Sequence, residues 1–358
     1  LERFKRTIQN EGKDMSAIDK SNLALAVIPD NSYDVSVREE FEFTVSRLLS
    51  AVTSGKGLSA NPYTNLAPFM YVEDSDDHRW KDGHSADEYY LGRDDKAAHH
   101  LAMSDPVFDG VKVENYFDMG PGGEAAVTSV SMPTGEKFGA RNWFFFDRSD
   151  ALAIGAAELV QRKLKVNAHP VICDFFERLP IVKSNTVLTI PGGTIQNVET
   201  HDSPESLQRR MKQIFGNYAY AVTGRQKSEG ETNHLIVGFD ANQNDKEILA
   251  CYENDEFGNL VTALAQRAFD TSNFAYHVNL DRISGVGFLA TGIRAKRNTT
   301  VEFDGKTYNF AADQFVPILN SNRMPVSFMT QAITEAGWKP SRTWTATGRS
   351  HYQHYTRN

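Results

Sequence analysis

Between residues 112 and 245 short apolar runs alternate with mixed polar stretches, and this alternation organises the chain. Short apolar runs bounded by glycine, proline and acids suit buried strands, and runs spaced by helical pattern suit a doubly wound α/β sheet. The runs are Tyr116–Met119, Asn142–Asp147, Pro170–Phe175, Thr186–Ile190 and His234–Asp240. Spacing predicts a helix from Ser149 to Val166, with Leu152, Ile154, Ala156, Leu159, Val160 and Leu164 as its apolar positions. Asp147 or Ser149 stands where a cap belongs. Another helix is predicted over Ser206–Phe215. Residues 1–60 read as helical, and within 34–53 Phe41, Val45, Leu48, Leu49 and Val52 share one face.

From Asn244 the pattern changes. Glu247–Ala268 reads mostly helical. Gly285–Arg297, Thr299–Phe303 and Thr307–Phe310, with a turn at Gly305, read as an antiparallel meander. Then Val326–Ala336 reads as a helix stopped by Gly337, followed by strands over Lys339–Thr345 and His351–Thr356. The expected organisation is an N-terminal helical segment and loop over 1–100, a sheet domain over 101–245, an inserted lobe over 246–324, and a returning helix and strands over 325–358.

The strand ends carry the candidate chemistry. Tyr116–Met119 runs into Gly120-Pro121-Gly122-Gly123, a turn that lets the backbone come close to a ligand at the edge where open α/β sheets bind cofactors. Its spacing matches no phosphate-cradling loop, and no lysine follows. Asp147 ends the next run and suits the two hydroxyls of a ribose. Asp174 ends the third and can accept from an adenine amino group, with Phe175 beside the ring. An adenosine site without a phosphate device fits S-adenosylmethionine (SAM) better than a dinucleotide. Asn197 follows the fourth run with a donor and an acceptor, suited to an amino-acid zwitterion or to stabilising its own turn. Residues 61–100 are rich in Tyr, Asp and His and show little periodicity. Tyr71 and the pair Tyr89-Tyr90 either line a site there or pack a loop over the sheet. The histidines and acids of this stretch lack metal-ligand spacing, so no metal is expected.

Bulk properties narrow the function classes. The chain has 358 residues, with 40% hydrophobic and 23% charged, as in an ordinary globular protein. A net charge of -8 argues against a nucleic-acid partner. The only cysteines are Cys173 and Cys251, so a reduced, cytoplasmic setting is expected. No apolar run is long enough for a membrane span, and the first residues contain no signal-peptide core.

Several segments together are similar to one family. They are Asp87-Glu88-Tyr89-Tyr90-Leu91-Gly92-Arg93-Asp94, Asp118-Met119-Gly120-Pro121-Gly122, Cys173-Asp174-Phe175, Gly192-Gly193-Thr194-Ile195-Gln196-Asn197 and Ala250-Cys251-Tyr252-Glu253-Asn254-Asp255. In this order they resemble the histidine-specific SAM-dependent methyltransferases of ergothioneine biosynthesis, from about Pro68 to the C-terminus. The resemblance implies a Rossmann-like class I methyltransferase sheet with an inserted α+β substrate-binding lobe. It places Gly120 and Gly122 against the methionine part of SAM, Asp147 on the ribose, Asp174 and Phe175 on the adenine, and Tyr71 at the junction with substrate. Tyr90 or Tyr89, Asn197 and Tyr252 would hold the amino and carboxylate groups of an amino acid. Tyr90, Asn197 and Tyr252 would orient the reacting amine without any single obligatory base.

Two departures stand out. Ala126 occupies the place of a family lysine. The region of a family glutamate and serine that read the imidazole falls on Leu319, Asn320 and Ser321, which keeps the serine and lacks the glutamate. The expectation is an N-methyltransferase of a small amino acid or amine other than histidine, with Asn320 and Ser321 near the acceptor. Aminocarboxypropyl transfer or cyclisation on the same fold, and a non-catalytic SAM-binding protein, are the alternatives. The oligomeric state is left open.

Overall fold

A computed structural model describes residues 37–55, 66, 69, 90–177, 179–182, 185–198, 203–223 and 232–357. The main sheet has seven strands. Five are parallel: β1 (Asn115–Met119), β2 (Asn142–Asp147), β3 (Asn167–Ile172), β4 (Thr186–Ile190) and β5 (Asn233–Asp240). Near the C-terminus β11 (Lys339–Thr345) and β12 (Ser350–Arg357) join them. β12 lies antiparallel to both β5 and β11, and the order is β3-β2-β1-β4-β5-β12-β11. This is a Rossmann-like sheet whose order reverses beside β1, where a doubly wound sheet opens its ligand crevice.

Strand alternation distributes the core. Phe117, Phe144, Leu188, Leu235 and Val237 face α5 (Pro204–Thr223) and α8 (Val326–Glu335), meeting Met211, Ile214, Phe215, Met329 and Ile333. On the opposite face Tyr116, Trp143, Phe145, Val187 and Ile236 meet α2 (Tyr90–Met103) and α4 (Asp150–Leu164). Between β1 and β2, α3 spans 124–137 and contains a π-helical stretch, Val127–Ser131. Ser149 caps α4 by accepting from Leu152 N, and the helix ends where Lys165 turns left-handed. The predicted Ser206–Phe215 helix starts at Pro204 and runs on to Thr223, because Tyr218, Ala219, Ala221 and Val222 continue its buried face.

The region after β5 forms a second body. The single helix expected over Glu247–Ala268 is two, α6 (Asp245–Tyr252) and α7 (Asp255–Gln266). The break falls at Asn254, whose side chain caps α7 by accepting from Phe257 N. A three-stranded antiparallel sheet follows, β6 (Phe274–Ile283), β7 (Val286–Ala295) and β10 (Phe315–Arg323) in the order β10-β7-β6, with the hairpin β8 (Thr299–Phe303)–β9 (Lys306–Phe310) inserted. The sequence pattern missed β6 and β10. Helix α1 (Val37–Thr53) packs Val45, Leu48 and Leu49 into this body's core, not onto the main sheet. The stretch expected as a loop to residue 100 is helical from Tyr90 onward. Tyr71 and Tyr89 lie outside the described residues. Among the described residues no helix is long and apolar enough to cross a membrane, and no cluster of acids, histidines and cysteines could hold a metal ion.

Candidate functional site

Parallel pairing brings the strand exits to one edge of the sheet. Met119 stands opposite Phe146, Asp147 opposite Ile172, and Ile190 opposite Val237. At the β1 exit the chain turns with Gly120 at φ +79 and Gly122 at φ +69, both in the left-handed region that glycine enters without cost. Gly120 N donates to Phe146 O at 2.9 Å. A Cβ on Gly120 would stand 2.8 Å from Cγ2 of Thr194 and 3.5 Å from the Phe175 ring. The β1 turn, the segment after β3 and the turn after β4 therefore meet around one backbone position.

Asp147 Oδ1 accepts from Ser149 N at 2.9 Å. Burial pushes this carboxyl up to about 6, against the pull of the Ser149 and Arg148 backbone and the Arg148 charge. Cys173 N donates to Asp147 O at 3.0 Å, which ties the exits of β2 and β3 together. Asp174 accepts from Phe176 N at 3.0 Å and from Arg148 Nη1 at 3.1 Å. Arg148 also pairs with Glu40 of α1. Burial and the neighbouring Asp174 and Asp147 push the Cys173 thiol up to about 12, which favours its protonated form.

Asp118, one residue before the end of β1, is fully buried, and neither oxygen has a hydrogen-bond partner among the described residues. Burial pushes its carboxyl up to about 7. Ser131, Tyr116 and Thr189 stand close enough to pull it back, short of a formed hydrogen bond. A buried carboxyl without a hydrogen-bond partner among the described residues, beside a strand exit whose glycine backbone carries no side chain, suits a cationic ligand carrying a nucleoside. SAM, with its sulfonium and ammonium, has that chemistry. Gly120, Gly122, Asp147, Asp174 and Phe175 all stand at this edge.

Across the β5 exit lies a polar cluster that the strand-end pattern only touched. Tyr90, at the start of α2, donates to Asp240 Oδ2 at 2.7 Å. Arg323, at the end of β10, approaches the same oxygen with Nε at 3.0 Å, and neither side chain of this ion pair is exposed. Arg323 Nη2 donates to the Tyr252 hydroxyl at 2.6 Å, and Nη1 to Ser321 Oγ at 2.7 Å. Asp240 Oδ1 accepts from Asn242 N at 2.8 Å. Burial raises the Tyr90 hydroxyl well above its ordinary range, with Asp240 adding to it.

Gln196 ties the β4 turn to this cluster. Its side chain accepts from Asp240 N at 3.0 Å and donates to Asp240 O at 2.9 Å and Asn322 O at 2.6 Å. Asn197 is the next residue, half-buried at the end of the Thr194–Asn197 turn. Asn320 donates to Val198 O at 2.7 Å, so its amide nitrogen anchors that turn from β10. Ser321 lies on the alternate face of β10, against Arg323. Tyr90, Tyr252 and Ser321 therefore bond directly to Asp240 or Arg323, while Asn320 reaches the end of the Thr194–Asn197 turn that Gln196 ties to Asp240. Asp240 was visible as a strand-end acid without a role. Arg323, Gln196 and Asn322 carried no sequence signal, since a buried arginine is identified by its partner and not by its own position.

A family model described as histidine-specific methyltransferase, SAM-dependent, matches residues 53–358. Solved structures with a related shape include a SAM-dependent methyltransferase from Clostridium acetobutylicum, at 9% identity over 78% of this chain and 97% of that one, with a TM-score of 0.40. Another from Mesorhizobium loti has 10% identity over 75% of this chain and 100% of its own, with a TM-score of 0.37. DesVI from Streptomyces venezuelae has 12% identity over 75% and 95%, with a TM-score of 0.33. No curated protein matches the chain by sequence. With its strand order, its strand-end chemistry and a family match over most of its length, the chain belongs to the histidine-specific SAM-dependent methyltransferase family and is a class I methyltransferase that uses SAM.

Proposed function

We propose that this methyltransferase acts on nitrogen, and that its acceptor is a small amino acid or amine other than histidine. The observation that carries this reading is the convergence of Tyr90, Tyr252 and the Asn197 turn on one buried ion pair, a few residues from the cofactor edge. Two phenols and an amide offer orientation by hydrogen bonding and little else, which suits an acceptor that is already a nucleophile. When bound, SAM supplies a methyl activated on a sulfonium: the nitrogen lone pair forms the new N–C bond, the S–C bond breaks, and its electrons stay on sulfur.

The protein's share is alignment and the exclusion of water. Asp147 and Asp174 hold the nucleoside end, and Gly120 and Gly122 let the backbone approach the methionine end. Asn197, Tyr90 and Tyr252 hold the acceptor. Asn320 and Ser321 complete its surroundings in this reading. The second body, with α1 packed into it, roofs the pocket and acts as a lid. The resemblance sets Leu319 where the family has its glutamate, and a side chain with no polar atom for a ring nitrogen is the basis for expecting an acceptor other than imidazole.

The test is a turnover assay with the proteinogenic amino acids, histidine included, and their decarboxylated amines. S-adenosylhomocysteine together with an N-methylated amino acid or amine other than histidine is the expected outcome. Methylthioadenosine would point to aminocarboxypropyl transfer or cyclisation, methylation of histidine alone would remove the acceptor assignment, and SAM binding without turnover of any member would leave a non-catalytic protein.

A further inference from the structure

The hydrogen-bond directions around Asp240 carry more than positioning. We propose that the buried Asp240–Arg323 ion pair fixes the Tyr90 hydroxyl as an acceptor toward the substrate amine, and that this polarity makes the amine reactive. The inference rests on the amine-methylation reading above.

A phenol has one hydrogen and two lone pairs. A carboxylate paired with a guanidinium has no hydrogen to give, so the Tyr90 hydrogen goes to Asp240 Oδ2, at 2.7 Å. Asn242 Nδ2 donates to the same hydroxyl at 3.0 Å. The orientation of that amide is fixed, because Asn242 Oδ1 accepts from Asn244 N at 2.9 Å. What Tyr90 has left for a substrate is a lone pair. Its ring is held as well, with the Arg349 guanidinium 4.5 Å from the ring centroid and Arg349 Nε bonded to Asp94 at 2.6 Å.

This direction decides reactivity. A neutral primary amine has N–H hydrogens and a single lone pair, which must point at the methyl carbon. A tyrosine that accepts an N–H leaves the lone pair available and turns it away from the ring. A tyrosine that donates to nitrogen occupies that lone pair and blocks methyl transfer. Tyr252 is set the other way. It accepts from Arg323 Nη2 at 2.6 Å, so its own hydrogen points away from the guanidinium. One ion pair thus gives the two phenols opposite polarity, and Asp240 and Arg323 are positioning residues that act through them.

Asp240→Asn changes polarity at nearly constant shape. Oδ1 keeps its bond from Asn242 N, at 2.8 Å in the native protein, so an amide nitrogen replaces Oδ2 and donates to Tyr90. The single change strands the Arg323 charge, so it is paired with Arg323→Met, which removes both charges and returns most of the stability lost by either alone. For the amino acid or amine that the wild type methylates in the panel, the double variant is expected to raise acceptor KM or lower kcat by roughly tenfold or more, with the Kd for SAM unchanged. Tyr90→Phe, which leaves the ion pair intact, is expected to show the same loss and covers the case in which the double variant does not fold. Wild-type KM and kcat in a folded double variant, or in Tyr90→Phe, would overturn the inference while leaving the amine-methylation reading standing. A wild type that methylates nothing in the panel would remove that reading, and this inference with it.

Discussion

Arg148 Nη1 stands 3.1 Å from Asp174 Oδ2, and the same guanidinium pairs with Glu40. Asp174 follows β3, Arg148 follows β2, and Glu40 lies on α1, which packs its apolar face into the second body. One side chain thereby joins the β3 exit to the helix that packs into the second body. Arg148 is about three-quarters buried, at 25% side-chain exposure, so its pairs are screened less than surface ones. Arg148→Ala is expected to weaken SAM binding roughly tenfold by titration calorimetry, consistent with losing a charge-assisted hydrogen bond. Glu40→Gln is expected to act in the same direction and more weakly. An unchanged Kd for Arg148→Ala would show that the bridge has no part in the cofactor site.

Gly120 is constrained twice, by its positive φ and by Thr194. Alanine there carries about 1–2 kcal/mol of left-handed strain. Its methyl also meets a β-branched side chain with few rotamers to retreat to. Gly120→Ala is expected to lower the melting temperature and to weaken SAM binding by roughly tenfold, as the Thr194 turn is pushed outward. A variant that melts lower but binds SAM normally would place the strain outside the cofactor site.

Asp118 gives the protein without SAM a distinct pH dependence. Burial pushes its carboxyl up to about 7, from an ordinary 3.8. The folded chain holds this proton more tightly than the unfolded chain. The contribution to stability is complete below the ordinary value and is lost as pH rises through 7. Asp118→Asn never takes on the buried charge. It is expected to raise the melting temperature relative to wild type most at pH 8, less at pH 5, and least below pH 3.8, where both folded and unfolded chains hold the proton. An equal shift at pH 8 and pH 5 would mean that Asp118 does not titrate in this window.

The parts of the fold that could be read from sequence are those whose burial is simple. β1, β2, β4 and β5 are almost entirely buried, so each reads as a short, mostly apolar run with an acid or glycine at or just past its exit. β10 was invisible because Pro317 sits inside it, and proline argues against a strand. The structure accommodates that proline with a register shift between Pro317 and Leu319. Its last residues, Asn320-Ser321-Asn322-Arg323, are polar because they face the β4 turn and the ion pair and not an apolar layer. β6 was missed although its signal is present: His277, Asn279 and Asp281 alternate with the packed Tyr276, Val278 and Leu280, the period-two pattern of a half-buried strand. The edge proposed for the cofactor could be read because strand ends mark it. The Asp240–Arg323 pair could not, because its members are far apart in the chain and only the lobe's return brings them together.

If the exits of the parallel strands form the SAM pocket, Asp147 is the side chain whose loss should abolish cofactor binding. Its carboxylate has one oxygen bound to Ser149 N and stands at the β2 exit, beside Gly120 and Asp174. Titration calorimetry of Asp147→Ala with SAM, beside a wild-type control of equal melting temperature, is the decisive measurement. Loss of roughly a hundredfold or more in affinity is expected, from a carboxylate that pairs with both ribose hydroxyls. A folded Asp147→Ala that binds SAM as the wild type does would contradict the account.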